Sequence, residues 1–314
     1  MRLLEAAAGR PIRKLRISLT ESCNFHCFHC MKEDAPCAPP EQWLPPYELE
    51  EIVRRLAALG VDQVRLTGGE PTLRPELREI VERLGRLGLG RLGITSNGVL
   101  LEPMLPALAT AGLRNLNLSL DSLEAATFQR ITGSPDHAQV LGTLRAARGL
   151  GLEVKLNVVL FRGLNDHECA DFVRFAEREK TPVRFLELMR IGPDHEENRR
   201  YYVPARETLQ RLRAQGMRLR ALARPADATA FEYRSGGGAR VGFIASESRP
   251  FCGGCSRLRL SATGVLRACL MKEDGLSLRG LDPREFEQAL SRVLAWKPRQ
   301  RPPFTDRSMV RIGG

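Results

Sequence analysis

A chain of 314 residues, 43% hydrophobic and 27% charged, has room for about two ordinary domains or one α/β barrel with an appendage, and its composition excludes disordered, collagen-like and low-complexity classes. The formal net charge of +11 comes from 48 basic against 37 acidic residues, and only six of the 48 are lysines, so arginine carries the surplus and favours a phosphate-bearing partner. No window approaches 18 uninterrupted apolar residues and residues 1–12 lack a secretory leader, so the expected location is the cytoplasm, without membrane contact; there the eight cysteines point to a metal, a cluster or catalysis and away from disulfides.

Strand-like and helix-like runs alternate through the first 190 residues, which is the βαβ signature. In chain order the spacing predicts a strand over 14–20, a helix over 46–59, a strand over 63–67, a helix over 75–87 and a strand over 91–96. A helix over 101–111, a strand over 115–121, a helix over 138–150, a strand over 153–160, a helix over 166–179 and a strand over 182–189 follow. Six strands are fewer than the eight that close a full barrel, so the fold class is α/β with a partial, six-stranded, TIM-like barrel. After Met189 the rhythm breaks into a charged loop (192–200), a helix (205–216), a glycine-rich turn (236–238), two short strands and a proline-rich basic tail (296–304). These form a smaller C-terminal α+β unit. The division falls near residue 222, giving 6–222 and 223–314.

Parity within the strands carries functional information. Leu15, Ile17 and Leu19 share one face and Arg16, Ser18 and Thr20 the other; Val64 and Leu66 oppose Arg65 and Thr67; Leu116, Leu118 and Leu120 oppose Asn117, Ser119 and Asp121. A parallel strand buried on both faces should be apolar on both. The polar parity therefore implies a wet or ligand-filled interior that gathers Arg16, Arg65, Thr95, Ser119 and Lys155. The alternative is an open sheet with one solvated face.

Two cysteine groups stand out. Cys23, Cys27 and Cys30, spaced Cys-x-x-x-Cys-x-x-Cys, follow the first strand, where βα loops build barrel active sites. Three thiolates there can hold a four-iron cluster with one iron left open, or a zinc with His26 or His29 as fourth ligand. The second group, Cys252, Cys255 and Cys269, also offers three thiolates, and no histidine lies from Val241 onward. Arg257 and Arg259 follow at alternate positions of a strand and point the same way. Gly68-Gly69-Glu70-Pro71 ends the second strand and Asn97-Gly98 the third, each readable as a plain turn. Cys169 reads as a core residue and Cys37 as incidental.

Together, Cys23-Asn-Phe-His-Cys27-Phe-His-Cys30 and Gly68-Gly69-Glu70-Pro71 resemble the radical S-adenosylmethionine (SAM) superfamily. Cys252-Gly-Gly-Cys255-Ser-Arg257-Leu-Arg259-Leu, Cys269 and the final Gly313-Gly314 resemble one family within it, the GTP 3′,8-cyclases of molybdenum cofactor biosynthesis, over a stretch that begins near Gly9-Arg10-Pro11-Ile12-Arg13. The resemblance implies a radical SAM barrel with two [4Fe-4S] clusters. Cys23, Cys27 and Cys30 would hold the cluster that binds SAM, and His29, Gly69, Ser119 and Met189 would contact SAM. The family usually has tyrosine where this chain has His29, so a backbone contact is implied there. Cys252, Cys255 and Cys269 would hold the second cluster, whose open iron would take the guanine of GTP. Arg16, Arg65, Thr95, Lys155, Arg184, Arg257 and Arg259 would surround GTP, with Arg257, Arg259, Gly313 and Gly314 assigned to catalysis. A SAM-derived radical would abstract the ribose C3′ hydrogen and the C3′ radical would attack guanine C8, giving 3′,8-cyclo-7,8-dihydroguanosine triphosphate after one further electron and proton.

The resemblance also implies an electron donor such as flavodoxin or ferredoxin, and cyclic pyranopterin monophosphate synthase as the next enzyme; it allows a homodimer and implies no nucleic-acid partner. Two rivals make different demands. A zinc-stabilised nucleic-acid-binding protein needs its basic residues on exposed helices or loops, and a peptide-modifying radical SAM enzyme needs no arginines arranged for GTP.

Overall fold

The structure, a computed structural model, describes residues 4–6, 9–30 and 37–307. Six parallel strands form its centre: β1 (Lys14–Ser18), β2 (Gln63–Thr67), β3 (Arg91–Ser96), β4 (Asn115–Ser119), β5 (Glu153–Val159) and β6 (Val183–Leu186), each hydrogen-bonded to the next in sequence. The connections carry α1 (Pro46–Ala58), α2 (Leu77–Gly85), α3 (Leu105–Thr110), α4 (Ala125–Thr132), α5 (His137–Gly149) and α6 (Cys169–Arg178). The six strands read from the sequence are thus present and adjacent.

Parity decides which face the helices cover. Leu15, Ile17, Val64, Leu66, Leu118 and Leu156 are buried with Ile52, Val53 and Leu56 of α1 and Ile80, Val81 and Leu84 of α2 in one core. Each such side chain contributes about 1.5–3 kcal/mol on burial, so the apolar parity is committed to the helix layer and the polar parity is left to the interior. In α2 the buried Leu77, Ile80, Val81 and Leu84 follow the i, i+3, i+4, i+7 spacing of one helical face.

The residues beyond α7 (Ala205–Ala214) extend this same sheet from both sides. β7 (Leu219–Ala221), β8 (Phe231–Ser235) and β9 (Arg240–Ile244) attach through β9, which runs parallel to β6. β10 (Arg257–Leu260), β11 (Val265–Arg267) and β12 (Gly275–Ser277) attach through β10, parallel to β1. The twelve strands run in the order β12-β11-β10-β1-β2-β3-β4-β5-β6-β9-β8-β7. Between the two edges, the segment after β7 crosses to the start of β1: Lys14 Nζ lies 2.5 Å from the Asp227 carboxylate, which also accepts from Ser256 Oγ at 3.0 Å.

Besides the single turn of helix at His195–Asn198, inside the stretch read as a charged loop, two helices were not assigned from the sequence. α8 (Pro283–Ala295) carries a readable start signal, a capping box between Asp282 and Glu285 with proline at its first position. α4 carries none. It has eight residues, three of them β-branched, and a Glu124 side chain that caps nothing, so packing holds it in place: Phe128 is wholly buried edge-on to Phe25 at 5.8 Å.

Candidate active site

The first cysteine loop leaves the end of β1 and is pinned from three sides. His26 N–H donates to Thr132 O at 2.9 Å and Phe28 N–H to Ile131 O at 3.3 Å, so the last carbonyls of α4, which have no partner within their helix, hold the loop backbone. Gly69 N–H donates to Thr20 O and Glu70 N–H to Ser22 O, both at 2.8 Å. A Cβ on Gly69 would stand 2.1 Å from Ser22 O, so no other residue fits the crossing of these two chains. On the third side Asn97 Nδ2 donates to Asn24 Oδ1 at 2.7 Å.

Glu70 is buried and borders the interior beside the first cysteine loop. Its carboxylate accepts from Thr72 N–H, Thr72 Oγ1, Ser96 Oγ and Asn97 N–H at 2.8–3.1 Å, which welds the Gly-Gly-Glu-Pro turn to the end of β3. The Gly68–Pro71 and Asn97–Gly98 stretches are therefore one clamp on the cysteine loop, and neither is a plain turn.

The second cysteine group sits at the other end of the strands. Cys252 and Cys255 lead into β10, whose first residue, Arg257, is paired with Lys14 at the start of β1. In the Cys252-Gly253-Gly254-Cys255 turn the second glycine is required, because a Cβ there would meet Ala226 O at 2.5 Å. The thiols differ in charge preference: burial pushes Cys23 up to about 11 and Cys30 up to about 12. Burial acts upward on Cys255 as well, but Arg257 and Lys297 outweigh it and bring the thiol down to about 6.

Between the two groups runs a ladder of arginines. Arg259, Arg16 and Arg65 are opposite one another on β10, β1 and β2. Next in that row is Gly93, where a Cβ would lie 3.1 Å from Arg65 Cζ, so the glycine leaves space for the guanidinium. Likewise a Cβ on Gly242 would lie 3.0 Å from Arg184 Cγ. Burial first, then the neighbouring Arg259, Arg257 and Arg65, push the Arg16 guanidinium well below its ordinary value. Burial and Arg184, Arg91 and Arg65 bring Lys155 down to about 8.

All six of these cysteines line a single cavity of about 360 Å³. Arg16, Thr95, Arg184, Arg257 and Arg259 line it too, as do His29, Gly69, Ser119 and Met189. Arg65 and Lys155 instead line a second space of about 780 Å³, which shares Arg16, Asn117, Arg184, Thr229 and Arg257 with the first. Every sequence-derived site residue that the structure describes therefore faces one of two adjoining spaces. Gly313 and Gly314 lie outside the described residues, as do Met309, Val310 and Ile312.

Comparison with known proteins divides the chain between two family models that meet near residue 180. Residues 17–176 match the model of the radical SAM superfamily, and residues 181–305 match that of molybdenum cofactor synthesis C. A GTP 3′,8-cyclase of Synechocystis sp. is 43% identical over 306 residues, covering 98% of this chain and 93% of the relative. The chain belongs to the GTP 3′,8-cyclase family. A second GTP 3′,8-cyclase, from Stenotrophomonas maltophilia, is 40% identical over 280 residues, 88% of this chain and 86% of that one. Among solved structures, Streptococcus suis SuiB bound to precursor peptide SuiA superposes with a TM-score of 0.68 at 14% identity, covering 90% of this chain and 66% of that one, a likeness of fold alone. Radical SAM architecture accounts for the α/β partial barrel, with the family's first cysteine loop at the C-terminal end of its first strand.

The interior of this family member also holds residues to which the sequence reading gave no role, Asp121 and Asn157 on the polar parity of their strands among them. Asp121 is 7% exposed, lines the smaller cavity and is pushed up to about 7 by burial, although Val159 N–H donates to it at 2.7 Å. Asn157, Ser246 and Arg301 line the same cavity, and in each a buried polar side-chain atom lacks a hydrogen-bond partner. Asn157 shares parity with Lys155 and was legible; Ser246 and Arg301 reach the cavity only through tertiary folding. Arg257 and Arg259, at alternate positions of β10, both line the smaller cavity.

Proposed function

We propose that this chain cyclises GTP to 3′,8-cyclo-7,8-dihydroguanosine triphosphate by radical SAM chemistry, an early step of molybdenum cofactor biosynthesis. The observation that carries this reading is the arginine ladder lying between two cysteine triads in one interior. Like charges directly opposite on neighbouring strands destabilise a sheet, and among the described residues Arg16 has no carboxylate partner. A polyanion is the ligand that turns this cost into affinity.

The donor sets fit iron–sulfur clusters better than zinc. The three histidine, cysteine or acidic ligand atoms that lie within 4.8 Å of one another among the described residues belong to Glu124, His167 and Glu168, so neither cysteine triad converges on one ion. Zinc, with Zn–S of about 2.3 Å, requires its sulfurs closer together than that. Cys23, Cys27 and Cys30 would hold the cluster that binds SAM, and Cys252, Cys255 and Cys269 a second four-iron cluster. When bound, the first cluster and SAM supply the 5′-deoxyadenosyl radical.

The chain's own residues orient and exclude water. Gly69, Ser119 and Met189 border the SAM side, with His29, whose ring is wedged against Phe28 and Phe161 at centroid distances of 5.5 and 4.8 Å. Thr95, Arg184, Arg257 and Arg259 border the nucleotide, and Arg16, Arg65 and Lys155 lead into the larger space. In this reading 6–222 supplies the SAM half of the interior and 223–314 the second-cluster half, with Gly313 and Gly314 completing the catalytic set. Partners of matching chemistry are a flavodoxin or ferredoxin as electron donor, cyclic pyranopterin monophosphate synthase for the product, and a second copy in a homodimer. The cytoplasm suits oxygen-sensitive clusters, and no helix of the described residues is long and apolar enough to cross a membrane.

The deciding experiment is anaerobic reconstitution followed by assay with GTP, SAM and a reductant. About eight irons per chain and the cyclised nucleotide are expected; about four irons, or SAM cleavage with no nucleotide product, refutes the assignment.

Lys155 adds a pH prediction. Its folded value, about 8, lies below the ordinary lysine value, so its charge destabilises the fold at lower pH and that penalty fades as pH rises through and above 8. A bound triphosphate favours the charged form. GTP binding is therefore expected to take up close to one proton above about pH 8 and to weaken with rising pH there, as read by calorimetry in buffers of different ionisation enthalpy. Lys155→Met should abolish the uptake, and unchanged uptake in that variant excludes Lys155 as its source.

A further inference from the structure

Two buried cations stand behind the second cysteine triad, outside the contacts assigned to SAM or GTP. Lys297, 5% exposed, follows α8; its Nζ donates to Arg257 O at 2.5 Å and Ala268 O at 2.8 Å and lies 3.8 Å from Cys255 Sγ. Arg10, 8% exposed, donates from Nη1 to Cys252 O at 2.8 Å and Pro298 O at 3.2 Å, and from Nη2 to Lys297 O at 3.4 Å. Between them the two side chains touch Cys252 O, Cys255 Sγ and the carbonyl preceding Cys269. No carboxylate pairs with either cation among the described residues. Removing two such charges from water costs several kcal/mol each unless a counter-charge is supplied, and backbone carbonyls supply none.

We propose that Lys297, backed by Arg10, is the counter-charge and positioning residue of the second cluster. This rests on the two-cluster reading above. Its ammonium joins the strand after Cys255 to the residue before Cys269, which fixes the spacing of two of the three thiolates. It also places a fixed positive charge against Cys255 Sγ. A cluster gains negative charge on reduction, so that ammonium favours the reduced form. The first triad has no lysine or arginine in hydrogen-bond contact with a thiol among the described residues, so the two clusters are set to different potentials by the chain itself.

The test compares the full-length wild type with Lys297→Met, Lys297→Gln and Lys297→Arg after anaerobic reconstitution, using iron counts and potentiometric titration followed by electron paramagnetic resonance. Signals are assigned to the first cluster by perturbation with SAM and to the second by perturbation with GTP. In the Met and Gln variants the second midpoint should move negative, lowering the reduced-to-oxidised ratio at the wild-type midpoint about tenfold, which is 59 mV for one electron. The first midpoint should stay, and Arg should keep the second near its wild-type value. Glutamine can donate a hydrogen bond but carries no charge, so a wild-type midpoint in Lys297→Gln overturns the proposal. If the Met and Gln variants lose the second cluster while Arg keeps it, charge is required for assembly and the proposal stands. Loss from all three makes shape the requirement and overturns it. A wild type with about four irons refutes the two-cluster reading itself, and this proposal with it.

Discussion

Alanine at Cys23, Cys27 or Cys30 is expected to abolish reductive cleavage of SAM, whereas alanine at Cys252, Cys255 or Cys269 should leave uncoupled cleavage and no cyclised nucleotide. The asymmetry follows from position. The first triad sits on a loop held by Gly69, Asn97 and the carbonyls of α4, at the C-terminal end of the parallel strands. The second sits where β10 begins, beside Arg257 and on the far side of the arginine ladder. On the proposed reading, losing it would remove a binding surface for the nucleotide and leave the SAM side intact. The measurement is 5′-deoxyadenosine and nucleotide product in the same reaction, with about four irons expected in each variant. Normal cyclisation by Cys255→Ala with its second cluster gone would falsify the division of labour.

Much of this was legible because parallel strands give a strict rule. A helix-covered face must be apolar, so Arg16, Arg65, Thr95, Ser119 and Lys155, all on the opposite parity of their strands, had nowhere to go but inward. The cysteine spacings were legible for a similar reason, since neighbouring ligands on one loop are a local property. What stayed hidden was set by tertiary contacts. Helix α4 has no N-terminal capping signal, yet its final carbonyls hold the first cysteine loop. Asn97-Gly98 looks like any turn until Glu70 is seen accepting from Ser96 and Asn97. That β9 and β10 join opposite sides of the six-stranded sheet depends on which edges are free, and no local pattern encodes that. The Asp282–Glu285 capping box of α8 was a local signal and could have been used.

Glu187 shows the reverse case, a buried acid that parity cannot interpret. On the sixth strand-like run it opposes Arg184, and its carboxylate accepts from Ala205 N–H at the start of α7 and from the Glu247 and Ser248 N–H groups, each at 2.7–2.8 Å. It fixes the entry of one helix and the turn after β9, so its charge is consumed structurally. Arg16, in the middle of the ladder, has no such outlet among the described residues. Burial without a compensating carboxylate is what separates a residue waiting for a ligand from one holding the fold.

That distinction yields a signed prediction for Arg16→Met. Methionine keeps much of the side chain's length and apolar contact while removing one of three guanidiniums in register with each other. In the protein without nucleotide, the lost charge relieves repulsion from Arg259, Arg257 and Arg65 and ends the burial penalty on the cation, so the melting temperature should rise. GTP affinity should fall at the same time. A charge-assisted bond to phosphate contributes about 1.5–3 kcal/mol, which is roughly a tenfold to hundredfold increase in Kd. A residue placed for packing gives the opposite pair of results, lower stability with affinity unchanged. Measuring both quantities on the same variant, with cluster content verified, therefore tests whether the ladder is kept for its ligand: a stabilised protein that binds GTP poorly is the expected outcome, and a destabilised one that binds it normally assigns Arg16 to the fold.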